Sequence, residues 1–415
     1  MKEPRSAYLH IPFCHRRCFY CDFPIVPLGD KARGEGAAGS KSIKSYLKLL
    51  FREISLAPQA SPLSTVYIGG GTPSLLTPNQ LGDLLQHLFD HFGLQDGAEV
   101  TVEVDPASFN EEDLREYLEI GITRLSLGAQ SFDNEALSML GRRHDSSQLF
   151  DSCQWIKKAY SQGNLFSWSL DLIQNLPKQN LFTWEQQLKK LLEISPPHLS
   201  IYDLSIEEGT VFAWRQSRGE LNLPSDEFAA DITSLTSSIL QEAGYSRYEI
   251  SNFALPGHTS RHNRVYWSGA RWWGFGLGAT SCPWGKRLER PKTRAAYEAW
   301  LLKQELEGID KSLLPTNQSS IDLDELFLVG LRRREGINFE EMAIEWGWDQ
   351  THSNIFLKEL ENHWNGAIEK GWLKRQGKRF VLTDPVGMNV SNQVLVEMLL
   401  WWDSLPKSAV AQPSF

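Results

Sequence analysis

The sequence has few cysteines, no long hydrophobic run and no excess of positive charge. Five cysteines occur in 415 residues, and three of them lie within eight residues, too close together for a disulfide framework. We therefore expect reduced thiols in a cytoplasmic protein. No stretch approaches the roughly 20 consecutive apolar residues that a membrane helix needs, and only a short apolar run follows the charged N-terminus. We expect neither a transmembrane segment nor export.

The charge argues against a nucleic-acid-binding protein, and the composition argues against a disordered or fibrous one. There are 42 basic and 51 acidic residues, which give a net charge of −9. This balance argues against nucleic acid as a partner, because phosphate backbones attract basic proteins. Apolar residues make up 41% and charged residues 22% of the chain, as in ordinary globular proteins. The length predicts two or three folded domains.

Short β-rich runs alternate with helical patterns in the first half of the chain, which indicates an α/β fold. Helix starts support this interpretation, since Thr77, Pro78 and Gln80 form a capping box with proline at the first helical position, and Asn110 precedes three acidic residues. The alternation predicts a parallel sheet with right-handed crossovers, either as an open layer or as a full or partial barrel. The predicted strands are Ala7–Phe13, Thr65–Gly69, Glu99–Val104, Arg124–Ala129, Phe166–Ile173 and His198–Leu204.

The second half of the chain changes character along its length. A helical pattern begins at about residue 225, a Gly- and Trp-rich stretch lies near 256–285, and short amphipathic helices with a minor β hairpin follow Pro315. We therefore expect four parts: a sheet domain over 1–224, a helical and Trp-rich segment over 225–305, a small helical domain over 306–385, and a tail helix over 386–415.

Three cysteines stand in the pattern CxxxCxxC directly after the first predicted strand. Parallel α/β folds place active-site loops at such a position. Cys14, Cys18 and Cys21 can together hold an iron–sulfur cube and leave one iron open to bind another molecule. A zinc ion would need a fourth ligand, for which His15 or Asp22 would have to serve in an awkward local geometry. The spacing favours the cluster, and zinc and inert buried thiols stay as alternatives.

The sequence resembles the radical S-adenosylmethionine superfamily. The cysteine motif with Tyr20 before its last cysteine is similar to the motif of that superfamily. The segments AYLHIPFC, GGGTPSLL, GAQSF, LGRRH and DLIQNLPKQ, in this order within residues 7–285, resemble the branch that contains oxygen-independent coproporphyrinogen III oxidase and haem chaperones of the HemW type. This resemblance implies a partial (β/α)6 radical SAM barrel with a small, mostly helical, winged-helix-like C-terminal domain.

The resemblance also implies two cofactors, a [4Fe-4S] cluster and S-adenosyl-L-methionine (SAM), and it assigns residues to them. Gly70, Gly71 and Thr72 match positions that contact the methionine moiety, and Glu103 matches the ribose contact. On the residues alone, an acid at a strand end often only caps the next helix, and Arg142 can be a solvated helix charge. The cluster ligands implied are Cys14, Cys18 and Cys21, and the further cofactor positions are Tyr8, Tyr20, Gln130, Arg142 and Asp171.

A second motif, HNxxYW over 262–267, is similar to the motif that marks HemW-type chaperones within the branch. The imidazole of His262 can serve as an axial haem ligand, and aromatic neighbours can cover the porphyrin face. Without the resemblance, a histidine beside tryptophans is more often a hydrogen-bonded core residue. Decarboxylating members carry a fourth cysteine where this chain has Phe23, and they have a longer N-terminal arm. These differences favour the chaperone.

The resemblance therefore implies haem as a ligand and a haem-accepting protein as a partner, with respiratory haem proteins as candidate recipients. It assigns no catalytic residue. The alternative function is oxygen-independent coproporphyrinogen III oxidation, a radical decarboxylation of porphyrin biosynthesis. One departure from the chaperone pattern is Thr280, where relatives often have histidine. The sequence leaves open whether SAM is cleaved, whether haem is attached covalently, and whether the chain is a monomer or a homodimer.

Overall fold

The computed structural model is organised around a twisted sheet whose central strands run parallel in chain order. All six predicted strands are present, and the predicted α/β fold with a partial parallel barrel is confirmed. The described residues are 3–29, 38–309, 313–314, 322–406 and 410. Within these ranges the sheet has nine strands in the spatial order β11 (Trp273–Phe275), β1 (Ser6–Ile11), β4 (Leu63–Gly70), β5 (Leu94–Val104), β6 (Arg124–Gln130), β7 (Ser167–Gln174), β8 (His198–Asp203), β10 (Asn252–Ala254) and β9 (Ser246–Arg247).

Helices connect these strands and cover the outer face of the sheet. The predicted capping boxes at Thr77 and Asn110 are both present, and each residue accepts a hydrogen bond from the third residue of its helix. The helices that surround the sheet are α1 (Ala38–Leu56), α2 (Pro78–Phe92), α3 (Glu111–Glu119), α4 (Asn134–Leu140), α5 (Ser146–Ser161), α6 (Leu181–Ile194), α7 (Val211–Ser217), α8 (Asp226–Glu242) and α10 (Arg294–Glu307). Helix α9 (Arg261–Trp267) lies on the inner side, where its His262 contacts Thr65 of β4.

The two faces of the sheet differ sharply in polarity. Side chains alternate along each strand, so that Val100 and Val102 of β5 belong to the apolar core while Thr101 between them belongs to the opposite, inner face. The inner face is buried and polar in strand after strand, and we call this space the lumen. The buried polar residues at these alternate strand positions are Ser6, His10, Thr65, Glu99, Thr101, Arg124, Ser126, Ser167, Ser169, His198 and Ser200.

The Trp-rich segment contributes to the sheet as well. Strand β11 pairs in parallel with β1, with Trp273 opposite Ala7. Its edge is held by a buried carboxylate, because Glu53 accepts hydrogen bonds from the Gly276 amide at 2.7 Å and from Arg290 at 2.6 Å. The remaining small strands are β2 (Phe13–Cys14) paired with β3 (Val26–Pro27), and β12 (Thr280–Ser281) paired with β13 (Leu288–Glu289).

The C-terminal region is mostly helical, as predicted, and has its own apolar core. Helix α15 packs into that core through Val394, Leu395 and Met398. The domain limits drawn from the sequence stay predictions. No helix in the described ranges is both long and apolar enough to cross a membrane. The elements of this region are α11 (Leu323–Gly330), α12 (Phe339–Trp346), α13 (Gln350–Glu369), α14 (Val386–Asn389), α15 (Ser391–Ser404), and the three-stranded sheet of β14 (Ile337–Asn338), β16 (Arg379–Leu382) and β15 (Leu373–Gln376).

Candidate functional site

A cavity of about 400 Å³ lies at the carboxyl ends of the parallel strands. This is the edge at which parallel barrels gather their functional side chains, because every strand ends there and a loop follows. Most of the residues singled out in the sequence meet in its walls. They are Cys14, Cys18, Tyr20, Cys21, Gly70, Gly71, Thr72, Glu103, Gln130, Arg142 and Asp171. Tyr8 and His262 lie outside the cavity lining.

The three cysteines are free thiols in the segment that follows β1, with Cys14 at the end of the short strand β2 and Cys18 and Cys21 on the loop between β2 and β3. In the described part of the chain, no three His, Cys, Asp or Glu side chains are grouped as a single metal ion requires. An iron–sulfur cube does not need such convergence, because each thiolate ligates a different iron. Burial raises the pKa of the Cys14 thiol to about 12, so we expect this thiol to release its proton only when metal binds.

The GGGT segment at the end of β4 brings backbone close to the cysteine loop. The Thr72 hydroxyl donates to Cys14 Sγ at 3.5 Å, and the Thr72 amide donates to the Phe13 carbonyl at 2.7 Å. A Cβ on Gly71 would lie 2.6 Å from that same carbonyl oxygen. Gly70 has φ +113°, a conformation that side chains rarely adopt. Glycine is therefore required here by close approach and by backbone geometry.

Glu103 presents its carboxylate at the end of β5. It accepts a hydrogen bond from the Gly70 amide at 3.0 Å and another from the Tyr67 hydroxyl at 2.9 Å. Burial raises the pKa of Glu103 to about 7, although these two hydrogen bonds lower it, and Asp171 across the cavity raises it further. A carboxylate held in this way can accept hydrogen bonds from the two hydroxyls of a ribose.

Arg142 is not a solvated helix charge but a nearly buried partner of Asp105. Its guanidinium contacts the Asp105 carboxylate, donates to the Gly128 carbonyl at 2.8 Å and lies 3.7 Å from Cys18 Sγ. Burial raises the pKa of Asp105, but Arg142 outweighs it, and the pKa of this carboxyl lies well below its ordinary value. The pair therefore places a fixed positive charge beside one predicted cluster ligand.

Gln130 and Asp171 complete the wall formed by β6 and β7. Gln130 has φ +63° and follows a shift in strand register, so its backbone is held in a conformation that non-glycine residues seldom adopt. Asp171 accepts hydrogen bonds from the hydroxyls of Ser126 at 2.8 Å and Ser169 at 3.1 Å. Burial raises the pKa of Asp171. Both side chains thus reach the cavity from well-fixed strand ends.

His262 and Tyr8 lie in the lumen, beneath the cavity. His262 is 0% exposed and both ring nitrogens have partners, with Nδ1 2.8 Å from Thr65 Oγ1 and Nε2 2.8 Å from Tyr266 Oη. Tyr8 stacks on Tyr67, which lines the cavity, at a ring separation of 6.2 Å. Haem ligation by His262 therefore stays a prediction.

The sequence interpretation missed part of the cavity wall. Tyr67 could have been found from strand alternation, because it stands two residues before Gly69 on the same face of β4. Asp105 was not among the predicted site residues, and it pairs with Arg142 and accepts a hydrogen bond from the Ala107 amide at 3.0 Å. The other missed residues are Tyr202, Asp203 and Glu207.

The comparisons with known proteins agree with this geometry. The family model of the radical SAM superfamily matches residues 8–191. A curated haem chaperone HemW of Synechocystis is 36% identical, over 94% of this chain and 95% of the relative. The chain belongs to the HemW family. Another curated HemW, from Lactococcus lactis, is 34% identical over 96% of this chain and 98% of its own length.

A further relative carries a different name. The mitochondrial radical S-adenosyl methionine domain-containing protein 1 of Danio rerio is 30% identical over 94% of this chain and 84% of its own length. Among solved structures, the coproporphyrinogen III oxidase HemN of Escherichia coli matches with a TM-score of 0.73 at 21% identity, covering 97% of this chain and 91% of that one. The HemN likeness establishes the common fold alone.

Membership of the radical SAM superfamily implies a [4Fe-4S] cluster and SAM, and the cavity walls of this HemW-family chain fit both. Three free thiols stand at one end. Six carboxyl groups line the rest, against three guanidinium groups, which suits a ligand that carries a sulfonium and an amino group. The carboxyl-bearing residues of the lining are Asp22, Glu103, Asp105, Asp171, Asp203 and Glu207.

Proposed function

We propose that this chain is a cytoplasmic haem chaperone that holds a [4Fe-4S] cluster and SAM in the cavity, binds haem, and transfers the haem to an acceptor protein. Its HemW relatives are named haem chaperones and match nearly the whole chain. Cys14, Cys18 and Cys21 would ligate the cluster, and the Gly70–Thr72 segment and Glu103 would hold SAM. The bound cluster supplies the electron for reductive cleavage of SAM when that reaction occurs.

The acidity of the cavity wall favours a chaperone over an oxidase. Coproporphyrinogen has four carboxylate groups, and an oxidase must receive them beside the cluster with basic side chains. Here guanidinium groups of the wall already have partners within the protein. Arg142 pairs with Asp105, and Arg16 donates to the Gly141 carbonyl at 3.0 Å and to the Arg142 carbonyl at 2.5 Å. Glu207 and Asp203 add negative charge at the β8 side.

The HNxxYW segment is the proposed haem ligand, through His262. In the present conformation the neutral ring is enclosed, since burial lowers the pKa of His262 to about 3 and both nitrogens are hydrogen-bonded. Haem ligation would exchange the bond to Tyr266 for a bond to iron. Helix α9 has only seven residues, so its displacement breaks few backbone hydrogen bonds. This fits a protein that must also release its haem.

The test is a haem titration of anaerobically reconstituted protein, in which haem binding is monitored by the Soret absorbance. We expect saturable binding by the wild type and weaker binding by His262→Ala. His198→Ala is the matched control, because His198 is also a buried lumen histidine whose Nε2 lies 2.8 Å from a tyrosine oxygen, that of Tyr248. It should keep wild-type haem affinity.

A second assay separates the chaperone from the oxidase. The same reconstituted protein is incubated with coproporphyrinogen III, SAM and a reductant, and the products are separated by chromatography. We expect no decarboxylated product. Turnover to protoporphyrinogen would contradict the proposal, and so would a wild-type protein that binds no haem.

A further inference from the structure

The HNxxYW motif lies directly beneath the SAM cavity and contacts its wall. The amides of Arg261 and His262 donate to the Glu99 carboxylate at 3.0 and 2.9 Å, which fixes the start of α9 against the middle of β5. His262 is bonded on the other side to Thr65, at the start of β4. The motif therefore plugs the lumen from the end opposite to the cysteines.

The side chain of Tyr67 lies between His262 and the Glu103 carboxylate, which lines the cavity. Tyr67 lies with its ring centroid 5.2 Å from that of His262, and its hydroxyl donates to Glu103 Oε1 at 2.9 Å. Tyr8 packs on the same ring at 6.2 Å, and its own hydroxyl is 3.0 Å from His10 Nδ1. Tyr67 thus stands between two aromatic neighbours, and only one of them belongs to the HNxxYW motif.

We propose that His262 is a positioning residue of the SAM site: its ring, held by Tyr266 and Thr65, fixes Tyr67, and Tyr67 fixes the Glu103 carboxylate that faces the ribose. His262 acts through packing, because its ring touches Tyr67 and does not line the cavity. If the ring is removed or displaced, Tyr67 gains rotational freedom and the Glu103 carboxylate loses a fixed donor. The cost appears as weaker SAM binding.

This inference rests on the proposed function in one respect, that SAM occupies the cavity. It also has a consequence for haem. If His262 ligates haem iron, its ring must leave Tyr266 and Tyr67, so haem binding disorders the floor of the SAM site. By thermodynamic linkage, SAM must then weaken haem binding by the same factor. The two ligands would compete through one histidine without touching each other.

The experiment measures the dissociation constant of SAM by anoxic calorimetry on the reconstituted protein. We expect His262→Ala to weaken SAM binding about five-fold, which corresponds to about 1 kcal/mol. Tyr266→Phe removes only the hydroxyl that holds the ring and should give a smaller loss, so it tests the idea if the alanine variant folds poorly. His198→Ala is the control and should stay within about two-fold of the wild type.

A double-mutant cycle distinguishes positioning from general destabilisation. Tyr67→Phe keeps the ring but removes the donor to Glu103, so a His262 effect that acts through this hydrogen bond must shrink in the Tyr67→Phe background. An undiminished effect there would overturn the inference. So would SAM affinities of His262→Ala and Tyr266→Phe that equal that of His198→Ala.

The haem titration separates failure of this inference from failure of the proposed function. Loss of haem binding in His262→Ala with unchanged SAM affinity overturns positioning and leaves the chaperone standing. Weaker SAM binding with unchanged haem affinity supports positioning and removes His262 as the haem ligand.

Discussion

Replacing Glu103 with glutamine should make the protein's stability less sensitive to pH. Burial raises the pKa of Glu103 from 4.5 to about 7, so between these values the folded protein binds more protons than the unfolded chain. The free energy of unfolding therefore falls as pH rises through this window. At about 1.4 kcal/mol per pKa unit the loss is up to about 3 kcal/mol, and we expect about 2 kcal/mol because the carboxylate lines an open cavity.

Glu103→Gln has no carboxyl proton to lose, so its stability relative to the wild type should increase with pH. An unfolding entropy of about 2.1 cal/mol/K per residue makes about 2 kcal/mol equivalent to a shift of about 2 °C in a chain of this length. The assay is the melting temperature of both proteins at pH steps from 5 to 8. Glu193→Gln, a change at an exposed helix position, is the control and should show a flat difference.

The reasoning would be refuted if the difference between Glu103→Gln and the wild type were flat over this range. It would also be refuted if the difference fell as pH rose, because that sign requires a carboxyl whose pKa is lowered on folding.

Two further substitutions test the cavity wall. Gly71→Ala places a Cβ 2.6 Å from a backbone oxygen and should reduce the iron content after reconstitution. The control Gly366→Ala has open space in helix α13, so it should bind iron normally and gain about 1 kcal/mol of stability. Equal iron content in the two variants would contradict this expectation. Arg142→Met removes the guanidinium partner of Asp105 in a site where the side chains of the pair are 12% and 18% exposed, so urea unfolding should show a loss of about 2 to 3 kcal/mol. A loss below about 0.5 kcal/mol would contradict this expectation.

The sheet and the cavity were predictable because they depend on local and periodic signals. Strand alternation, the capping boxes at Thr77 and Asn110, and the position of the cysteine motif after β1 are all encoded in neighbouring residues. The cavity followed because parallel strands end at one edge. Glu103 and Asp171 could therefore be grouped although they are 68 positions apart in the sequence.

The surroundings of His262 were not predictable in the same way. Its partners Thr65 and Tyr67 are almost 200 positions away in the sequence, and no spacing rule connects a short helix with the lower end of β4. A histidine on such a helix has the same local sequence whether it faces solvent or plugs a lumen. The pairing of Arg142 with Asp105 was missed for a similar reason, since it brings the residue after strand β5 against a residue that follows helix α4.

The most direct test of the proposed chemistry is a metal and sulfide analysis of anoxically purified protein. If the three cysteines hold an iron–sulfur cube, the protein should be brown and contain iron and acid-labile sulfide in equal amounts. Cys18→Ser should lose both iron and sulfide. The control Cys153→Ala changes a buried core cysteine and should keep both. Stoichiometric zinc without a visible chromophore would contradict this cluster assignment.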